Sequence, residues 1–120
     1  CKVHDDSMII YDLSDISKNK KGKPDYNFKF EDICQVYDGS EKTTKDGYIV
    51  RCAGVYHYGQ FSPLIFKISS FLEKGFTSEN DWIMNDFDAL IKACDNRSTL
   101  ILDRGFDRGI IINHLLINNY

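Results

Sequence analysis

SMIIYDL, at residues 7–13, is a short run of apolar and β-branched side chains that reaches a carboxylate at Asp12. The run is too short to form a helix before the polar residues that follow, and it predicts a buried strand that ends near Asp12. The stretch TLIL at residues 99–102 has the same character, and Asp103 follows it directly. The chain therefore carries two predicted buried strands, each with an aspartate at its end.

A hairpin and a helix are predicted between these two strands. Residues 47–57 and 61–69 are β-rich runs separated by the short, glycine-containing segment 58–60, a pattern typical of a β-hairpin. Ser78, with Asp81 three residues later, forms a capping pattern for a helix. Apolar side chains then recur at the spacing of one helical face, at Ile83, Phe87, Leu90, Ile91 and Cys94.

The remaining segments complete a predicted α/β domain. A second helix is predicted from Phe106 onward, with Ile117 on its apolar face. Residues 28–37 fit either a short strand or an irregular connection. The order of strand, hairpin, helix, strand and helix predicts one α/β domain over residues 1–120 with a mixed sheet. Because a hairpin argues against a purely parallel sheet, a phosphoacceptor-type α/β domain ranks last among the alternatives.

Charge and composition limit the classes of function. Lys and Arg total 15 against 18 Asp and Glu, so the net charge of −3 gives no overall attraction for nucleic acid, and DNA binding must depend on local patches. Four cysteines, far apart in the chain, fit reduced thiols better than a zinc site or a redox motif. No apolar run approaches the ~20 residues of a membrane span, and no secretory signal is visible, so we expect a cytoplasmic protein without membrane contact.

Asp12 and Asp103 are the candidate metal ligands. Strand ends open into the crevice where α/β sheets bind ligands, and two carboxylates brought together there suit a hard cation such as Mg²⁺ or Mn²⁺. An aspartate at a strand end is also common as a turn former or helix cap, so either residue alone is a weak signal. Asp12 is preferred over Asp15 because it terminates the apolar run. Asp107 is expected to cap the last helix or to lie near its start.

Several segments resemble one known family. YDLSDIS at residues 11–17 and ILDRGFDRG at residues 101–109 resemble the two Asp-bearing motifs of bacterial insertion-sequence transposases with a DDE catalytic triad. DGSEK from Asp38, GYIVRCAGVY from Gly47 and FTSEN from Phe76 resemble the same family in their order. The resemblance covers nearly the whole chain and is most specific at the two Asp motifs.

The resemblance implies an RNase H-like fold with the first Asp on the first strand, the second Asp on the fourth, and a Glu on a later helix that completes the metal site. It implies metal-dependent DNA cleavage and strand transfer, with Asp12 and Asp103 as catalytic residues and metal ligands. Transposon ends and target DNA are the implied partners, and the full-length protein is expected to form a homodimer.

The residues that follow Asp103 contain no Glu. We therefore expect a truncated catalytic core that is inactive by itself. An RNase H-like nuclease and a non-catalytic remnant or DNA-binding module of the same fold are the alternatives.

Basic and aromatic residues provide candidate DNA contacts. Arg104 and Arg108 lie next to glycines, and their guanidinium groups suit contact with a phosphate. An equally weighted alternative is that both arginines are exposed and form ion pairs with Asp103 and Asp107. A basic loop offers three further candidates for DNA contact, at Lys18, Lys20 and Lys21. The alternative is a solvated loop that contacts no ligand. Three tyrosines in or beside the hairpin fit cross-strand packing better than a base-stacking platform, at Tyr48, Tyr56 and Tyr58.

Overall fold

The structure, a computed structural model, describes residues 7–17, 31–94 and 98–120. A short 3₁₀ helix at Arg104–Phe106 precedes the second α-helix. The strands and α-helices, in chain order, are β1 (Met8–Ser17), β2 (Cys34–Asp38), β3 (Thr43–His57), β4 (Gln60–Ser69), α1 (Glu79–Cys94), β5 (Thr99–Leu102) and α2 (Gly109–Ile117).

The strands form a mixed five-stranded sheet. Its hydrogen-bonded order is β2-β3-β1-β5, and β4 also pairs with β3. β1 and β5 are parallel, whereas β2 and β3 are antiparallel. The predicted α/β class with a mixed sheet is confirmed. The predicted order of elements is also found, with β2 added inside the segment that fitted either a strand or a connection.

The chain divides into two compact units. The first is formed by the described residues of Cys1–Asp12, Cys52–Phe66 and Thr77–Tyr120, and the second by those of Leu13–Arg51 and Lys67–Phe76. The single domain predicted over residues 1–120 stays a prediction.

Tyr11 is the centre of the core in the first unit. Its side chain is 1% exposed, and its ring meets those of Phe87 and Phe106 edge-on, with centroids 5.0 and 5.5 Å away. Its hydroxyl donates a 2.9 Å hydrogen bond to the carboxyl group of Asp86, which is also buried. Aromatic edge-to-face packing and a satisfied hydroxyl together stabilise a buried tyrosine. The core therefore joins β1 to α1 and to the 3₁₀ helix.

Helix α1 begins as its sequence predicts. The Ser78 hydroxyl accepts a 3.1 Å hydrogen bond from the Asp81 backbone N–H, which is a serine N-cap. The Asp81 carboxylate accepts a hydrogen bond from the Thr77 hydroxyl, and the side chains of Thr77 and then Ser78 lower the pKa of Asp81. The predicted apolar stripe is buried, and Trp82 and Asp86 join it.

The prediction that the first strand ends near Asp12 is wrong, because β1 continues to Ser17. Backbone pairing does not need apolar side chains, and β3 is 15 residues long, so it offers hydrogen-bonding partners to β1 beyond the short β5. The predicted hairpin is confirmed as β3 and β4, although β3 starts four residues earlier than expected, at Thr43.

The prediction of a helix from Phe106 onward is also wrong in its start. Phe106 ends the 3₁₀ helix with a buried ring, and α2 begins three residues later with Arg108 as its N-cap. The side chain of Ile111 is buried, whereas Ile117 is 70% exposed and does not belong to a buried face. Tertiary burial of Phe106 beside Tyr11 interrupts the helix that the apolar spacing suggested.

Among the described residues, no helix is long and apolar enough to cross a membrane.

Candidate functional site

The parallel register of β1 and β5 brings the two predicted aspartates to one place. Tyr11 lies opposite Leu102 in the last registered pair, so Asp12 and Asp103 occupy the next step along the two strands. Asp103 keeps an extended backbone, with φ −70° and ψ 159°, and therefore continues the direction of β5. Side chains alternate between the two faces of a sheet along each strand. Asp12 therefore lies on the same face as Ile10, and Asp103 on the same face as Ile101, opposite to the face of Tyr11.

Both carboxylates are exposed and unengaged. Within residues 7–17, 31–94 and 98–120, neither the Asp12 nor the Asp103 side chain forms a hydrogen bond or an ion pair. Asp103 precedes the 3₁₀ helix, yet its side chain makes no capping hydrogen bond there. An aspartate that served as a helix cap would accept such a bond. The structure therefore leaves both carboxylates available to a ligand.

The pair does not make a complete metal site by itself. In the described part of the chain, no group of three or more His, Cys, Asp or Glu side chains is placed to hold a metal ion. Mg²⁺ binds proteins through one or two carboxylates and keeps several of its waters, so a pair of carboxylates fits it chemically. The third carboxylate that the transposase resemblance implies is not supplied by these residues.

Cys52, on β3, lies beside Asp12. Its thiol donates a 3.6 Å hydrogen bond to the backbone carbonyl of Asp12. Burial, and then the negative charge of Asp12, raise the pKa of this thiol. It therefore stays protonated at neutral pH and supports the backbone of Asp12 rather than acting as a thiolate ligand. Its position in an apolar strand pattern gave no sequence signal for this role.

The alternative aspartates are less well placed. Asp15 lies on β1 beyond the end of β5, which stops at Leu102, and so has no registered partner on that strand. Asp107 is exposed and ends the 3₁₀ helix, while the N-cap of α2 is Arg108. The expectation that Asp107 lies near the start of the last helix is confirmed, without a capping role.

Arg108 is held by the protein. Its Nε donates to the Gly105 carbonyl at 3.1 Å, its Nη1 donates to the Asn80 side chain at 2.8 Å, and its Nη2 lies 2.7 Å from the Glu79 carboxylate. These contacts join the turn after β5 to the start of α1. The guanidinium group therefore forms an ion pair with Glu79, and not with the neighbouring aspartates that the sequence suggested.

Arg104 differs from Arg108. It is exposed, directly follows Asp103, and makes no side-chain hydrogen bond or ion pair with the part of the chain that the structure describes. Of the two predicted arginine contacts, Arg104 thus has its full set of donors available for a phosphate. The predicted basic contacts Lys18, Lys20 and Lys21 lie outside the described residues.

The DGSEK segment has a local structural purpose in the second unit. The Asp38 carboxylate accepts hydrogen bonds from the backbone N–H groups of Ser40 and Glu41, which closes an Asx-type turn between β2 and β3. The Lys45 ammonium, 2.6 Å away, is the main cause that holds the pKa of Asp38 well below its usual value. This part of the transposase-like pattern is explained by the turn.

The two histidines in the described part of the chain, His57 and His114, have partners within the protein. His57 Nδ1 lies 3.2 Å from the Ser7 hydroxyl, and His114 Nε2 lies 2.7 Å from the Asp88 carboxylate, which joins α2 to α1.

Comparison of the chain with known protein families, with curated proteins and with solved structures gives no match.

Proposed function

We propose that this chain is part of the catalytic core of a DDE-type transposase with an RNase H-like fold, an enzyme of metal-dependent DNA cleavage and strand transfer. One observation carries the proposal: Asp12 and Asp103 follow the last registered pair of two parallel strands, with exposed and unengaged carboxylates. Two carboxylates at neighbouring positions on two paired strands suit a divalent cation and the phosphate chemistry that it supports.

The sheet order supports the RNase H-like assignment. The resemblance requires that the Asp of the first strand and the Asp of the fourth strand meet. When the short β2 is set aside as an addition, β5 is the fourth strand, and it pairs with β1. The two most specific motifs of the resemblance therefore come together through hydrogen-bonded neighbours, as the proposed fold requires.

The residues present fit the role of metal ligands. Asp12 and Asp103 would hold Mg²⁺ or Mn²⁺ through carboxylate oxygens, and a Glu from elsewhere would complete the set. When bound, divalent ions activate the attacking oxygen and stabilise the leaving oxygen of an in-line displacement at a DNA phosphodiester. Arg104, with its donors unengaged, would contact a phosphate beside Asp103.

A non-catalytic module of the same fold is the second candidate. It is favoured by the presence of only two carboxylates at the site in the described part of the chain. Such a module would keep the sheet and its two aspartates without binding a divalent ion. The two candidates therefore differ in metal binding.

Titration with Mn²⁺, followed by calorimetry or by electron paramagnetic resonance, tests the proposal. Wild-type protein is expected to bind Mn²⁺, and both Asp12→Asn and Asp103→Asn are expected to abolish binding because each removes one of two ligands. Asp107→Asn is the matched control, since it removes an exposed carboxylate from the same turn, and it should bind like wild type. Binding that survives Asp12→Asn or Asp103→Asn would contradict the site, and no binding to wild type would favour the non-catalytic module.

A further inference from the structure

The turn that follows Asp103 has one apolar anchor, at Phe106. The Phe106 backbone N–H donates a 3.0 Å hydrogen bond to the Asp103 carbonyl, and the Phe106 ring, 5% exposed, lies 5.5 Å from the ring of Tyr11. Gly105, between Asp103 and this anchor, is exposed, and a glycine leaves the backbone more freedom than any other residue does. The apolar anchor alone therefore leaves the backbone next to Asp103 weakly fixed.

Arg108 supplies a second, polar anchor inside the same turn. Its Nε donates to the Gly105 carbonyl at 3.1 Å, and its two terminal nitrogens contact the Asn80 side chain at 2.8 Å and the Glu79 carboxylate at 2.7 Å. A guanidinium group is planar and presents its donors in fixed directions, so one side chain sets the relative position of all three acceptors. The backbone at Gly105 is thereby tied to α1.

The far end of this connection is held by the helix. Glu79 and Asn80 are the first two residues of α1, where the Ser78 hydroxyl caps the helix. Further along α1, the Phe87 ring meets the Tyr11 ring edge-on, with centroids 5.0 Å apart. Because Tyr11 directly precedes Asp12, the acceptors of Arg108 lie on the helix that packs against the strand of the partner aspartate.

Stability is a weak explanation for these contacts. The side chains of Arg108 and Glu79 are 36% and 29% exposed, and partly exposed ion pairs add little to the stability of a fold. Position is the stronger one, since a metal site requires its ligands to be held to within about 0.5 Å. With two carboxylates at the site, displacement of one of them removes half of the protein ligands.

We propose that Arg108 is a positioning residue of the metal site: by holding Gly105 it fixes the turn so that the Asp103 carboxylate stays at the step next to Asp12. This rests on the proposed function, since that function supplies the divalent ion. In this role Arg108 contacts neither the ion nor the reacting phosphate, so it is not a catalytic residue. It acts through the backbone on either side of Gly105.

Charge and position predict opposite effects of removing Arg108. If Arg108 acted only through its positive charge, Arg108→Ala would remove repulsion and strengthen the binding of a cation. If it acts by position, Arg108→Ala weakens that binding, since the Asp103 carboxylate is no longer held. The sign of the change in affinity therefore separates the two roles.

Mn²⁺ titration followed by electron paramagnetic resonance, without DNA, provides the test. Arg108→Ala should weaken Mn²⁺ binding by about 10-fold, as expected when a group that orients a metal ligand is lost. Glu79→Ala should weaken it by a smaller factor, because Arg108 keeps Gly105 and Asn80. The double variant should match Arg108→Ala, since both changes break the same connection. Lys92→Ala is the control, which removes one exposed positive charge from the last turn of α1 and should bind like wild type.

Amide hydrogen exchange of the metal-free protein measures the turn itself. Arg108→Ala should speed exchange at the Phe106 N–H, which bonds to the Asp103 carbonyl, while the Phe87 N–H on α1 keeps its wild-type rate and shows that the chain is folded.

Unchanged exchange at Phe106 in Arg108→Ala, or Mn²⁺ affinity equal to or tighter than that of wild type, would overturn the positioning role alone. A wild-type protein that binds no Mn²⁺ would contradict the proposed function and remove this role with it. The two failures are distinguished by whether the wild-type chain binds the ion.

Discussion

The two faces of the β1–β5 strand pair use the same kinds of residue in opposite ways. On one face, Tyr11 is buried and hydrogen-bonded to Asp86, a carboxyl group that is 1% exposed. On the other face, Ile10 is 40% exposed, and the Asp12 side chain has no hydrogen-bonding partner among the described residues. A buried and paired aspartate therefore belongs to the core of this fold, whereas an exposed aspartate has its carboxylate open to a ligand.

The largest expected difference between the faces concerns apolar truncation. Phe87→Ala should lower the free energy of unfolding by about 3–5 kcal/mol, because Phe87 is fully buried and contacts the Tyr11 ring, so the truncation leaves a cavity. Ile10→Ala on the open face is the matched variant and should cost less than about 1 kcal/mol. Urea unfolding measures both. Similar losses would show that the open face is covered in solution and would break the comparison.

Loss of one hydroxyl on the buried face should have an intermediate effect. Tyr11→Phe keeps the ring but removes the donor to Asp86, and removing one partner of a buried hydrogen bond costs about 1–3 kcal/mol. Thermal and urea unfolding would both report the change. If Tyr11→Phe proved as stable as wild type, the bond between Tyr11 and Asp86 would not be what holds that carboxyl group in the core.

The smallest expected effect on stability belongs to the proposed metal ligands. Asp12→Asn and Asp103→Asn should each change the free energy of unfolding by less than about 0.5 kcal/mol in metal-free buffer, because both side chains are exposed and unengaged. Chelator-treated samples compared by urea unfolding provide the measurement. A loss as large as that of Tyr11→Phe would mean that these aspartates support the fold, and it would remove the contrast with Asp86.

Local patterns predicted the elements that depend on local physics. The serine cap and the helical spacing located α1, because capping and amphipathic periodicity act within a few residues. The start of α2 was not predictable in this way, since Phe106 turns into the core beside Tyr11, 95 residues away by number in the chain. The contacts of Arg108 and Cys52 were missed for the same reason, because their partners lie on other elements.

By itself, the sequence determined the α/β class, the hairpin, α1, and the identity of Asp12 and Asp103 as aspartates beside apolar strands. Only the tertiary structure decided that these two residues follow one registered pair, that Asp86 is buried while they are exposed, and that Arg108 is occupied while Arg104 is not. The physical reason is the separation in sequence between the residues that interact. Helix caps and side-chain periodicity are set by neighbours in the chain, whereas strand register and burial are set by hydrogen bonds and packing between residues far apart in sequence.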